Sequence, residues 1–431
     1  MDIREVAVLA KKASIKLAAA DTELKNKALK EIARILEAKK EEIFKANAED
    51  LKRSEEEKLA APLLKRLKFD ENKLSEVISG INSLIELPDP VGKTLASTEL
   101  DEGLELYKVS CPIGVIGIIF ESRPDALVQI STLCLKSGNS VLLKGGREAI
   151  NTNRILTDII KVATENAGIP SGWIQLLETR DDVNEMLKMD DYIDLIIPRG
   201  SNEFVRYIME NSNIAVLGHA DGICHCYVDS DADLEMAVNI VVDSKTQYVA
   251  VCNATETLLV HKDAAKDFLP VLKKELDKKN VELVGCERTR EIIDVAAASE
   301  EDWKTEYLDY KLSIKIVDSV EQAIDHINTY GSGHTDSIIS KNKDNAELFM
   351  NLVDSGNVFW NCSTRFCDGF RYGFGAEVGI STNKIHARGP VGLEGLVIYK
   401  FKLVGNGHIV ADYANKTRSF THKKINKDFK L

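Results

Sequence analysis

The chain has 431 residues, 44% apolar and 29% charged, with a formal net charge of -12. At roughly 100–200 residues per domain, that length gives two or three domains with ample core. The acidic balance disfavours nucleic acid and anionic membranes as partners, while leaving room for a local basic site for a phosphorylated ligand. No apolar run approaches the roughly 20 residues of a membrane span, and the first residues read as a charged helix rather than a secretory leader. A reduced, cytoplasmic setting is expected. The eight cysteines show no paired CxxC knuckles. Cys224-His225-Cys226 reads as a strand with alternating faces, since a closed zinc site needs four ligands at recognisable spacing. No metal is expected.

Residues 1 to about 87 read as helices. Apolar side chains recur at helical spacing in Val6, Leu9, Ala10 and Ala13, and again in Leu29, Ile32, Ile35 and Leu36. The Lys/Glu-rich stretch 37–58 gives solvated helix faces, and Pro88-Asp89-Pro90 ends the layer. Residues 92–111 suggest a two-stranded hairpin. Val115 to Phe120 is a continuous apolar strand of the kind buried on both faces of a parallel sheet. A helix near 125–137, a strand over 140–144, a helix over 148–167 and a strand over 173–177 follow. A further strand, 195–197, leads through Pro198-Arg199-Gly200-Ser201 into a helix. This alternation, with glycines at strand ends, predicts a doubly wound α/β domain.

A second α/β unit starts near Cys226-Tyr227-Val228. It has helices over 231–245, 263–278 and 319–329, and strands over 257–261, 281–284 and 312–317. Residues 361–395 are rich in Gly, Arg and Ser, with glycines alternating with Phe370, Tyr372 and Phe374; they read as an ordered functional loop. A short strand over 396–402 comes next, and the basic tail 414–430 is expected to fray.

Cys252 lies in a short small-residue turn just before the β-prone run Thr257–Val260. A thiol at such a junction can be presented to a substrate, and a thiolate there attacks activated carbonyls to give a thioester. A free cysteine is as readily a small buried hydrophobe, so the neighbouring motifs decide.

Those motifs are Gly117–Pro124 (GIIFESRP), Leu143–Glu148 (LKGGRE), Cys252–Thr257 (CNATET), Thr305–Asp309 (TEYLD), Tyr330–His334 (YGSGH), Ser363–Ser381 (STRFCDGFRYGFGAEVGIS) and His386–Gly395 (HARGPVGLEG). Together they resemble the gamma-glutamyl phosphate reductase family of the aldehyde dehydrogenase superfamily, over about residues 3–413. The resemblance implies an α/β, aldehyde dehydrogenase-like fold: two doubly wound α/β domains plus a small β-flap for oligomerisation. Residues 1–96 and 112–225 would form the NADP-binding domain with its helical layer, and 226–395 the catalytic domain carrying Cys252. Residues 97–111 and 396–413 would form the flap, and 414–431 a basic tail. The flap strands have no obvious sheet of their own, so a second subunit is expected to complete one, giving a dimer or tetramer.

The resemblance also implies the reaction: gamma-glutamyl phosphate and NADPH give glutamate-5-semialdehyde, phosphate and NADP, in proline biosynthesis. Cys252 would attack the acyl phosphate, and phosphate would leave a thioester for reduction. The oxyanion needs donors, for which the Cys252 backbone N–H and a side chain of the 120–124 turn are candidates. Ser122, Arg123, Asn253, Arg365 and Arg371 are the candidate oxyanion and substrate-binding residues, with Arg388 a further fork for carboxylate or phosphate. Arg123 leads, at a strand's C-terminal end where α/β ligands bind. His219, His334 and His386 read as structural histidines before catalytic acids.

Oxidising relatives carry a glutamate base in Glu-Leu-Gly-Gly. The matching stretch here is Val216-Leu217-Gly218-His219, which fits a reductase that avoids thioester hydrolysis, unless the match is displaced by a few residues. For the cofactor, the superfamily uses a strand-end lysine, here Lys144, followed by Gly145, Gly146 and Arg147. Arginine can pair with a ribose 2′-phosphate, so NADP is expected over NAD, the alternative being that Arg147 merely faces solvent. Gly200 and Ser201 open a helix, a ready pyrophosphate seat. Glu306 matches the glutamate that holds the nicotinamide ribose, or is an ordinary surface acid. Two other readings stay open: a general aldehyde oxidiser, and a non-catalytic partner of a glutamate kinase. Contact with such a kinase is compatible with the catalytic reading too.

Overall fold

The computed structural model describes residues 2–121, 123–178, 181–219 and 221–430. Helices fill the first 86 residues: Ile3–Leu17, Thr22–Ala38, Lys40–Glu56, Ala61–Leu67 and Glu71–Glu86. Asp21 and Asp70 cap two of them by accepting the backbone N–H of Leu24 and Lys73, which pairs N–H groups that a helix start leaves unmatched. Ala28, Leu29, Ile32 and Leu36 turn inward and pack in one core with Leu156 and Ile160 of the Ile150–Ala167 helix. Val115–Ile119, Ser140–Lys144, Ile174–Leu177 and Leu195–Pro198 make a parallel sheet. Its order is 174–177, 140–144, 115–119, 195–198. The chain therefore reverses its direction of travel across the sheet beside Val115–Ile119, the place where open α/β sheets leave a ligand crevice.

The second sheet has seven strands, all parallel: Ala296–Ala297, Glu282–Gly285, Lys311–Val317, Thr255–His261, Cys224–Val228, Thr335–Ile339 and Asn357–Trp360. The strands at 335–339 and 357–360, with the helix Lys343–Leu352 between them, have no counterpart in the sequence reading. Thr335-Asp336-Ser337-Ile338-Ile339 is fully buried although three of its five side chains are polar. Its polar groups are paired inside: Asp336 accepts from the His225 backbone N–H, and Ser337 donates to the Cys362 carbonyl.

Two expectations are corrected. The flap is a four-stranded antiparallel sheet within one chain, ordered Val397–Val404, Leu104–Pro112, Thr94–Asp101, Lys423–Ile425. The tail does not fray. Lys423–Ile425 pairs with Ser97–Glu99, the Ser97 hydroxyl donates to the Ile425 carbonyl, and Phe429 packs edge-on to Tyr107. The lysines that suggested a solvated tail include a partner for Glu105, at Lys427. No helix among the described residues is long and apolar enough to cross a membrane.

Candidate active site

The two parallel sheets present their strand ends to a cleft of about 310 Å³ lined by Arg199, His219, Cys252, Asn253, Arg365 and Glu377, among others. Cys252 stands in the turn before the Thr255–His261 strand, as expected. Gly222 must be glycine: a Cβ there would lie 2.5 Å from the Cys252 Cβ. The partly exposed Cys252 Sγ lies 3.1 Å from His334 Nε2. His334 is fully buried, with its Nδ1 2.8 Å from the Thr335 hydroxyl. The His219 ring sits edge-on to it, centroids 5.0 Å apart, and its Nδ1 is held 2.9 Å from the Ile380 carbonyl.

Burial dominates the electrostatics. It pushes the Cys252 thiol up to about 12, with help from Cys367, Glu306 and Glu377. Burial also holds His334 well below the usual imidazole range and lowers His219. Burial thus favours a neutral thiol hydrogen-bonded to a neutral imidazole, a pair in which the ring nitrogen can accept the thiol proton. Arg199 follows the Leu195–Pro198 strand, and its guanidinium makes no hydrogen bond among the described residues; burial and the nearby Arg123 both lower it. A part-buried guanidinium beside a thiol, with its N–H groups unbound among the described residues, is suited to an anionic ligand.

Of the expected substrate residues, Asn253 and Arg365 line the cleft. The Asn253 amide N–H is committed to the Cys367 carbonyl at 2.6 Å, while its buried Oδ1 has no partner among the described residues. Arg365 donates Nε to Gln247. Arg371 binds the Arg365 carbonyl at 2.5 Å and so supports the loop rather than facing the cleft. Arg388 is taken up by Asp354 and the carbonyl of Thr382. Arg123 pairs with Asp125 and lines the next recess with Arg199, Gly200 and Ser201. Ser122 lies outside the described residues. His386 is away from the cleft, on the Gly395 carbonyl. The Cys224–Cys226 stretch is a strand with divergent contacts: His225 meets Asp336, and Cys226 meets Thr255.

Val216 packs in the core and its backbone bridges to Ile196, while Leu217, Gly218 and His219 reach the cleft. The stretch thus brings a histidine, and no carboxylate, to the thiol. The carboxylates lining the cleft are Asp368 and Glu377; burial raises Glu377, which accepts the Gly369 N–H. Sequence reasoning passed over Arg199, Glu377 and the pairing of His334 with Cys252. Arg199 had a signal, since it too follows a strand end. His334 had only its motif, because the strand that carries it was unread.

A second cleft of about 970 Å³ runs along the ends of the first sheet. Lys144, Gly145, Gly146 and Arg147 line one side, and Ser201, Phe204 and Tyr207 the other. Ser201 caps the Asn202–Asn211 helix by accepting the Phe204 N–H. Arg147 is largely exposed, within 3.4 Å of Glu57. Asn202 donates to Glu306 at 2.7 Å, which ties this helix to the loop beside Cys252. Glu306 is accordingly half-buried and raised by burial, unlike a surface acid.

Over residues 1–288 the chain matches the aldehyde dehydrogenase family. It is 76% identical over 431 residues to the gamma-glutamyl phosphate reductase of Acetivibrio thermocellus, covering 100% of both chains. It is 71% identical over 429 residues to that of Pelotomaculum thermopropionicum, covering 100% of this chain and 99% of the relative. The crystal structure of gamma-glutamyl phosphate reductase from Thermotoga maritima superposes with a TM-score of 0.93 at 43% identity, over 95% of this chain and 100% of the other. The chain belongs to the aldehyde dehydrogenase family and, within it, to the gamma-glutamyl phosphate reductases. Membership implies a nicotinamide cofactor. The second cleft fits one: it has the volume, an ammonium and a guanidinium on one wall, and a capped helix N-terminus on the other.

Proposed function

We propose that this enzyme reduces L-glutamyl 5-phosphate to L-glutamate 5-semialdehyde, with release of phosphate, through a thioester on Cys252. The observation that carries the reading is the 3.1 Å contact between Cys252 Sγ and His334 Nε2, in a cleft that also holds Arg199, whose guanidinium makes no hydrogen bond among the described residues. Sulfur attacks the acyl carbon as His334 Nε2 takes the thiol proton; the C–O bond to phosphate then breaks. An acyl phosphate is already activated, so a weak base suffices. Lys144, Arg147 and Ser201 of the second cleft would hold NADPH, which would supply the hydride that turns the thioester into a hemithioacetal anion. That anion collapses to aldehyde, the C–S bond breaks, and His334 returns the proton to sulfur. Arg199 holds the phosphate, and Arg365 borders the same cleft. The Cys252 backbone N–H remains the oxyanion donor of choice, since the Asn253 amide is already bound.

The reverse reaction tests this. Glutamate 5-semialdehyde should reduce NADP only when phosphate is present. Arg199→Ala should raise the KM for phosphate by about 10–100-fold, the worth of a charge-assisted hydrogen bond, with Lys a partial substitute. Turnover without phosphate would favour the aldehyde oxidiser, with Glu377 as its water-activating base.

Lys144, Gly145, Gly146 and Arg147 form the adenosine end of the cofactor site, with Gly200 and Ser201 at the pyrophosphate and Glu306 at the nicotinamide ribose. Arg147 selects NADP through the 2′-phosphate. Arg147→Ala is expected to weaken NADP about tenfold or more while leaving NAD little changed, as read by KM for each cofactor; equal effects on both would remove the assignment. The flap supports a homo-oligomer: Val397–Val404 forms an edge of its sheet and exposes Tyr399, Phe401 and Leu403, an edge that proteins usually cover.

A further inference from the structure

We infer that Cys252, His219 and His334 form a binding site for a thiophilic divalent cation of the Zn²⁺ class, which switches the enzyme off reversibly. Three separate segments contribute these ligands, so no cysteine-spacing motif announces them. The thiol sulfur and one nitrogen of each ring all lie within 4.8 Å of one another. Each imidazole is anchored through its other nitrogen: His219 Nδ1 at the Ile380 carbonyl and His334 Nδ1 at the Thr335 hydroxyl. Such outer contacts orient ligating histidines in metal sites. The Ile380 carbonyl also fixes the His219 tautomer, with the proton on Nδ1 and the lone pair on Nε2.

The geometry needs little change. Tetrahedral zinc takes sulfur at about 2.3 Å and nitrogen at about 2.0–2.1 Å, which sets the two about 3.5 Å apart. Sγ and the His334 Nε2 are now 3.1 Å apart, so a small opening admits the cation. The outer contact of each ring is made by Nδ1, which leaves Nε2 on the side of the cation. The thiol proton leaves to solvent as the sulfur–metal bond forms. Arg199 opposes a cation beside His219, while Glu306 and Glu377 offset it from the side of the thiol. The fourth position faces the cleft and takes water or an anion. Because the cation occupies the reacting sulfur, it is an inhibitor and not a cofactor. Binding itself follows from the side-chain arrangement and does not depend on which substrate the enzyme takes.

Cobalt serves as the probe. Titrating Co²⁺ into the reduced full-length protein, without substrate or cofactor, should give a thiolate-to-cobalt band in the near ultraviolet and intense visible bands of a tetrahedral ion. The stoichiometry should be one per chain, and Zn²⁺ should displace it. Cys252→Ala should abolish the near-ultraviolet band, and His219→Ala should weaken cobalt binding by at least about tenfold. His219 is only partly buried, so its variant remains informative if His334→Ala fails to fold. Cys286→Ala, at a partly exposed thiol elsewhere, should leave the titration unchanged. A band that survives in Cys252→Ala, an unaltered affinity in His219→Ala, or no saturable cobalt binding in the wild type would each overturn the proposal.

Discussion

Cys252→Ala is expected to lower the phosphate-dependent oxidation of glutamate 5-semialdehyde by at least about 10³-fold, because Cys367, the other thiol lining the cleft, is almost fully buried. NADP binding, measured by fluorescence titration, should be retained, since the second cleft is lined by other residues. His334→Gln should fall between wild type and Cys252→Ala, with turnover down by about 10²–10³-fold, the usual worth of a positioned base. The two variants separate two roles. With Cys252 present and His334 replaced, a thiol pushed up to about 12 by burial has lost its proton acceptor. Alkylation of Cys252 at neutral pH should then slow as well, followed as mass incorporation by a peptide digest. Retained turnover in Cys252→Ala would remove the thioester; unchanged turnover and alkylation in His334→Gln would leave His334 a structural group.

The largest expected effect on stability lies just behind the thiol. Lys245 and Glu256 form an ion pair at 2.6 Å with both side chains fully buried. Burial raises Glu256 to about 7 and lowers Lys245. Glu256 also accepts the Leu308 N–H at 3.3 Å. Leu308 has a φ of 53°, a left-handed conformation that a leucine adopts only when held. The pair thus holds the loop that presents Glu306. Lys245→Met leaves a carboxyl without its partner in the core and should destabilise the protein by about 3–5 kcal/mol. Lys245→Met with Glu256→Leu should recover much of that loss, because no buried charge remains.

The sign of the pH dependence follows from Glu256. Its pKa is raised above the ordinary 4.5, so the folded state holds the proton more tightly than the unfolded state. Its stabilising contribution is full below about 4.5 and is lost as pH rises through about 7. Removing the lysine cation raises the group further, so the deficit of Lys245→Met should shrink as the pH is lowered. Urea midpoints for wild type and both variants, measured across that interval, check the claim. A deficit that grows on acidification, or a double variant no better than the single, would contradict it.

Much of the fold was legible in the chain because local physics dictated it. Val115–Ile119 and Ser140–Lys144 are continuous apolar runs and became buried central strands. The inward side chains of Thr22–Ala38 fell at helical spacing. The thiol before a β-prone run, the Lys144-Gly145-Gly146-Arg147 turn and the helix start at Ser201 were equally readable, because each depends on a few neighbouring residues. The tertiary structure alone decided what long-range pairing controls. Thr335–Ile339 looks too polar for a central strand until Cys224–Val228 and Asn357–Trp360 flank it, and only that pairing sets His334 against Cys252. The tail became a strand because Ser97–Glu99 offered an open edge. The division of labour among the arginines was likewise decided in three dimensions. Arg371 met a carbonyl of its own loop and Arg388 met Asp354, while Arg199, a plain strand-end residue in the sequence, came to the cleft with no hydrogen bond from its guanidinium among the described residues. Charge type is written in the chain, but which charge remains available for a ligand depends on which partners folding brings to it.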